Sequence, residues 1–194
     1  LLSALEYQLD VILLSKMRSP ADMGMYGAAI SIINVVALIP QAYRTVLYPD
    51  LVRLQRESPA KAHALMSRAA RNMALAGAVT AAGIALAAPW LIESVFGARF
   101  AGSQPVMQIL IWNVVFLFLN VPLVRYLIAC GRQNAVSRAL VVSISTNLVA
   151  NLILIPPLAA AGSAWARLIS SLVFVILVGW QAYLGRRTAQ TAHL

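Results

Sequence analysis

Two carboxylates, Glu6 and Asp10, stand four residues apart inside an apolar run near the start of the chain. At that spacing in a helix they share a face. Ionisable groups inside a membrane-spanning helix cost about 2.5–3.5 kcal/mol on insertion scales, so each requires a reason. Two reasons fit. Either the pair lines a polar cavity and binds a proton, a sodium ion or a substrate cation, or it forms an internal ion pair with a residue such as Arg44 or Arg125. Both of these arginines lie inside apolar stretches. Each suits contact with an anionic phosphate group or snorkelling to the headgroups. Asn34, Asn113, Asn120, Asn147 and Asn151 are polar residues in otherwise apolar segments, where interhelical hydrogen bonding is the ordinary use. Asn147 and Asn151 again share a helix face. Pro40 and Pro122 each remove one backbone donor from a helical pattern, which makes them hinge or kink candidates.

The elements that must carry these residues are apolar. Of the 194 residues 61% are hydrophobic and 11% charged, with mean hydropathy +0.79. A soluble domain has about a quarter charged residues, too many more than this chain to leave a water-covered surface plausible. Apolar stretches cover 1–14, 20–47, 72–95, 105–129, 135–155 and 163–184. They predict an all-α, polytopic membrane protein of about six transmembrane helices, the first without its beginning. Ser19-Pro20-Ala21-Asp22 supplies an N-cap, a first-turn proline and an acid at the positive dipole end. Pro156-Pro157 is expected to stop the fifth helix, and Gly77, Ala81 and Ala85, like Gly24 and Gly27, permit close packing.

Residues 50–71 differ from the rest. Arg53, Arg56, Lys61, Arg68 and Arg71 interleave with Leu51, Leu54, Leu65 and Met66, which reads as an interfacial helix with its apolar side on lipid. A partner-binding helix is the other reading. With alternating sides, this segment shares its side with Arg132, Arg138, Arg186 and Arg187. Lys16, Arg18, Arg99 and Arg167 fall opposite. The bias of nine cations against four places residues 50–71 and the C-terminus in the cytoplasm.

The formal net charge of +9 would suggest nucleic acid in a soluble protein, but here topology accounts for it. Cys130 is the single cysteine, so no intrachain disulfide can form. GxxxxGK[ST] is absent, which argues against a nucleotide-driven pump half. His63 and His193 stand apart, with no Cys/His cluster for a metal and no serine, histidine and acid set in the apolar part. The expected protein is therefore no enzyme and has no resident metal or cofactor, only a coupling proton or sodium ion.

The order of motifs resembles the C-terminal half of bacterial polysaccharide (O-antigen type) flippases, of the multidrug/oligosaccharidyl-lipid/polysaccharide exporter superfamily. The resemblance lies in QLDVILLSKMRSPADMGMYGAA, IPQAYRTVLYPDLVRL, VFGARFAGS, LIACGRQN and NLVANLILIPPLAAAGSAWARL, in that order. It implies a transporter of 12–14 helices in two bundles around a central cavity, of which this chain is the second. It implies alternating access that carries an undecaprenyl-diphosphate-linked oligosaccharide across the bacterial inner membrane. Asp10 matches the acidic position of its helix, Glu6 less closely, and Arg44 and Arg125 would meet the diphosphate. The partners implied are the bilayer, the lipid-linked oligosaccharide and the N-terminal half. Leu158-Ala159-Ala160 departs from the Tyr-Gly frequent there. The alternatives are a small-molecule multidrug exporter of the same superfamily, a non-transport subunit of a polysaccharide assembly system, and a membrane glycosyltransferase. The last lacks a paired-carboxylate site in its longest loop.

Overall fold

The computed structural model describes the backbone of residues 2–191 and the side chains of residues 8–184. The helices are α1 (Leu2–Met17), α2 (Pro20–Val36), α3 (Leu38–Glu57), α4 (Pro59–Phe96), α5 (Gln104–Leu110), α6 (Asn113–Ala129), α7 (Gln133–Leu158) and α8 (Ala160–Thr191). A 3₁₀ turn at Ala98–Ser103 precedes α5, and no strand occurs among the described residues. The protein is thus an all-α, polytopic membrane protein. Pro20–Glu57, Pro59–Phe96, Gln133–Leu158 and Ala160–Leu184 are long and apolar enough to cross a membrane. The pair Ala98–Leu110 and Asn113–Ala129, bent by 41°, forms a fifth candidate. The 16 residues of α1 make a helix about 24 Å long, shorter than the ~30 Å hydrocarbon core.

Local chemistry explains the boundaries. Ser19 caps α2 by accepting from the Asp22 N–H at 3.3 Å, with Pro20 at the first helical position. Gly131, at φ 72°, ends α6 in the left-handed region where a side chain would strain. The α7–α8 turn passes through Ala159 at φ 50° and brings the two helices against each other. A Cβ at Gly162 would stand 2.2 Å from the Leu154 carbonyl oxygen, so only glycine fits there.

Several expected boundaries move. Residues 50–71 are not a separate interfacial helix. They are the adjoining ends of α3 and α4, which meet at Ser58. Leu51 and Met66 pack into a protein core with Leu127 rather than onto lipid. The proline pair does not stop α7, which runs through both rings and ends one residue later at Leu158, with the Leu152 and Ile153 carbonyls left without an i+4 donor. Pro122 is buried inside an unbroken α6. The fourth span bends instead at Ile111–Trp112, where i→i−3 bonds from Val114 and Val115 tighten the chain. Near Pro40 there is a real interruption. Between α2 and α3 the helix is broken at Ala37, beside Val36, whose carbonyl the Pro40 ring cannot bond.

The interior divides into two clusters stacked along the bundle. One gathers Leu14, Tyr26, Ile33, Ile92, Met107, Phe118 and Ile155 at the end near Ser19 and Ala159. The other gathers Leu47, Leu51, Met66, Leu127, Val178 and Ala182 at the end near Ser58 and Gly131. Gly77 lets α4 approach α6, its Cβ position lying 3.1 Å from Val115 Cα and Phe118 Cβ.

Candidate functional site

Asp10 is fully buried, and four helices converge on it. Its Oδ1 accepts from Asn147 Nδ2 at 2.9 Å and from Asn151 Nδ2 at 2.8 Å, both on α7. Its Oδ2 accepts from the Tyr26 hydroxyl of α2 at 2.7 Å and from Arg167 of α8 at 2.5 Å. Arg167 is 6% exposed, so the pair is a desolvated ion pair. A buried charge of this kind persists only when its lone pairs are met by donors, and here they are.

Sequence periodicity places each member. Ser143, Asn147, Asn151 and Ile155 recur every fourth residue on α7 and are all buried. Facing them on α8 are Ser163, Arg167 and Ser170, also buried. Ser143 donates to the Ser170 carbonyl at 3.0 Å, and Ser170 donates to the Arg167 carbonyl at 3.0 Å. The two helices are thereby joined by a polar seam. Asp10 lies seven residues before the end of α1 and Arg167 seven after the start of α8. Both therefore stand about 10 Å along the axis from those helix ends, deep enough to be out of water. At the rim, Arg18 donates to the carbonyls of Ile155 (3.2 Å) and Pro156, covering the end of α7.

A second group lies toward the other end. Arg44 is exposed on α3, and Arg125 of α6 stands over the Tyr48 ring, 5.9 Å from its centroid. Arg44 lies one helical turn before Tyr48 on α3. Among the described residues the ion pairs are Asp10–Arg167 and Asp50–Arg53, so neither Arg44 nor Arg125 has an acidic partner there. Gln41 and Thr45 of α3 are exposed with Arg44, in line with Tyr48. An open groove of about 640 Å³ leads on from Tyr48 past Val52, Arg53 and Arg56. The outer faces of α4, α7 and α8 present Leu86, Val79, Ile153, Ile176 and Trp180 instead, as lipid demands.

The structure brings Asp10, Asn147 and Asn151 together, and separately Arg44 and Arg125. It does not pair Asp10 with Arg44 or Arg125. Asn120 belongs to neither group; its Oδ1 is buried on α6 without a hydrogen-bond partner. The Glu6 side chain lies outside the described residues. Sequence reasoning missed Tyr26 and Arg167 as site residues, having set Arg167 on the side opposite the C-terminus. Half of the signal was available: an acid this deep needs a cation, but Arg167 and Arg125 are both flanked by apolar residues, and the sequence does not choose between them.

A polar seam is thus sealed inside the helical bundle, with Arg44 and Arg125 toward its other end. The family model described as "Polysaccharide biosynthesis protein" matches residues 1–105, and the chain belongs to that family. A probable low-salt glycan biosynthesis flippase of Haloferax volcanii is 24% identical over 170 residues, which is 87% of this chain and 36% of that relative. The chain thus spans about a third of the length of the relative it matches. No solved structure matches it.

Proposed function

We propose that this chain is the C-terminal bundle of a lipid-linked oligosaccharide flippase. The whole protein moves an undecaprenyl-diphosphate-linked glycan across the bacterial inner membrane by alternating access. The observation that carries the reading is the pair Arg44, exposed, and Arg125, half-buried over Tyr48, cations without an acidic partner among the described residues of a membrane bundle. A diphosphate is the natural complement of two guanidiniums, which bind phosphate oxygens with charge-assisted, directional hydrogen bonds. Family membership and the glycan flippase among the relatives support the same reading.

In this reading the α2–α3 face is one wall of the translocation cavity, and the N-terminal half supplies the other. The C-terminus is cytoplasmic. Burial of Arg167 supports that orientation, because moving it out of the loops leaves nine cations against three. A proton or sodium gradient drives the cycle through the whole transporter. The test is translocation of a lipid-linked oligosaccharide by the full-length protein in liposomes. Faster flipping than in protein-free vesicles is expected, and equal rates would sink the reading.

A further inference from the structure

A buried carboxylate needs a counter-charge. Of the four donors to Asp10, Asn147, Asn151 and Tyr26 are neutral, and the charge comes from Arg167. A sodium ion would seek the same place, because hard cations take a carboxylate together with amide oxygens. One such oxygen is at hand: Asn151 Oδ1 is buried with no hydrogen-bond partner, whereas Asn147 Oδ1 already accepts from Asn151 Nδ2 at 3.1 Å. The guanidinium, on Asp10 Oδ2, already supplies the positive charge that an exchangeable ion would bring, and it arrives attached to α8. A tethered cation loses no translational freedom on binding, so a free ion at ordinary salt competes poorly with it.

We propose that Arg167 is the built-in counter-cation of this site, so that the native site takes no sodium and deletion of the guanidinium turns it into a sodium site. The inference rests on the geometry around Asp10 and not on the substrate. A sodium-driven cycle, if the transporter has one, then uses groups other than Asp10.

Thermal unfolding of the purified full-length protein tests this in NaCl against choline chloride at equal ionic strength and pH 8. The wild type is expected to melt at the same temperature in both. Arg167→Ala is expected to show a saturable rise of about 5 °C at sodium 100-fold above its Kd. Arg167→Lys, which keeps a tethered cation, is expected to behave as the wild type. A sodium-specific rise in the wild type overturns the proposal, as does a folded Arg167→Ala that ignores sodium. If Arg167→Ala does not fold, Asp10→Asn/Arg167→Gln takes its place. That double variant has no charge to compensate and is expected to fold without responding to sodium. Its failure to fold likewise overturns the proposal.

Discussion

The two polar groups of this bundle handle charge in opposite ways. Both carboxylate oxygens of Asp10 have their donors, and an arginine answers the acid inside the fold. Around Tyr48, Arg44 is exposed and Arg125 half-buried, and neither pairs with an acid among the described residues. The first arrangement is closed and joins α1, α2, α7 and α8. The second is open and joins only α3 and α6. Charge compensated from within holds helices together, whereas charge left without an internal partner is available to something outside. Ionisable residues in membrane helices are usually taken together as functional candidates; here their partners divide them.

The comparison breaks if the wrong group proves structural. Asp10→Ala leaves Arg167 buried without its carboxylate and is expected to destabilise the protein by about 3–5 kcal/mol, read by unfolding in detergent. Gly162→Ala drives a methyl group into the Leu154 carbonyl where α8 leaves α7. A loss of about 1–3 kcal/mol in the same assay is expected from such overpacking, because it pries apart the helices that carry Asn151 and Arg167. Arg44→Gln/Arg125→Gln is expected to change stability by no more than about 0.5 kcal/mol. Its translocation of lipid-linked oligosaccharide should fall roughly 10- to 100-fold, the size of one lost charge-assisted hydrogen bond of about 1.5–3 kcal/mol. A stability loss like that of Asp10→Ala would erase the distinction.

The smallest effect concerns Cys130, at the end of the second core cluster. Burial pushes its thiol up, while the hydrogen bond with Tyr126 and the charge of Arg132 pull it down. A raised thiol holds less thiolate at neutral pH, so maleimide labelling is expected to be slower than for an exposed control cysteine. Tyr126→Phe removes one of the lowering influences and should slow it further. Labelling as fast as the control would mean that this end of the bundle is open.

Much of this was legible in the sequence. The apolar runs gave the helices, and the four-residue spacing of Asn147 and Asn151 gave a shared face that the structure aims at Asp10. The Ser19 cap appears where its chemistry put it. What remained hidden depended on tertiary partners. An α8 starting at Ser163 leaves Arg167 near a helix end, but α8 starts at Ala160 and buries it. Proline positions did not mark the breaks in two places: α7 runs through Pro156 and Pro157 to Leu158, and α6 is unbroken at Pro122 while the 41° bend falls before Asn113. The amphipathic pattern of 50–71 was correctly seen, but its apolar side met protein because two long helices bring it there.

Asp10 and Arg167 are 157 residues apart in the chain. At ribosomal rates of about 5–20 residues per second, that separation corresponds to roughly 10–30 s between the synthesis of the acid and of its cation. Over that interval α1 must enter the membrane with its carboxyl either protonated or bearing an insertion cost of about 2.5–3.5 kcal/mol. The ion pair therefore sets an order on biogenesis. Asp10 in α1 is answered electrostatically by Arg167 in α8, and a chain interrupted before α8 would leave that acid without this cation.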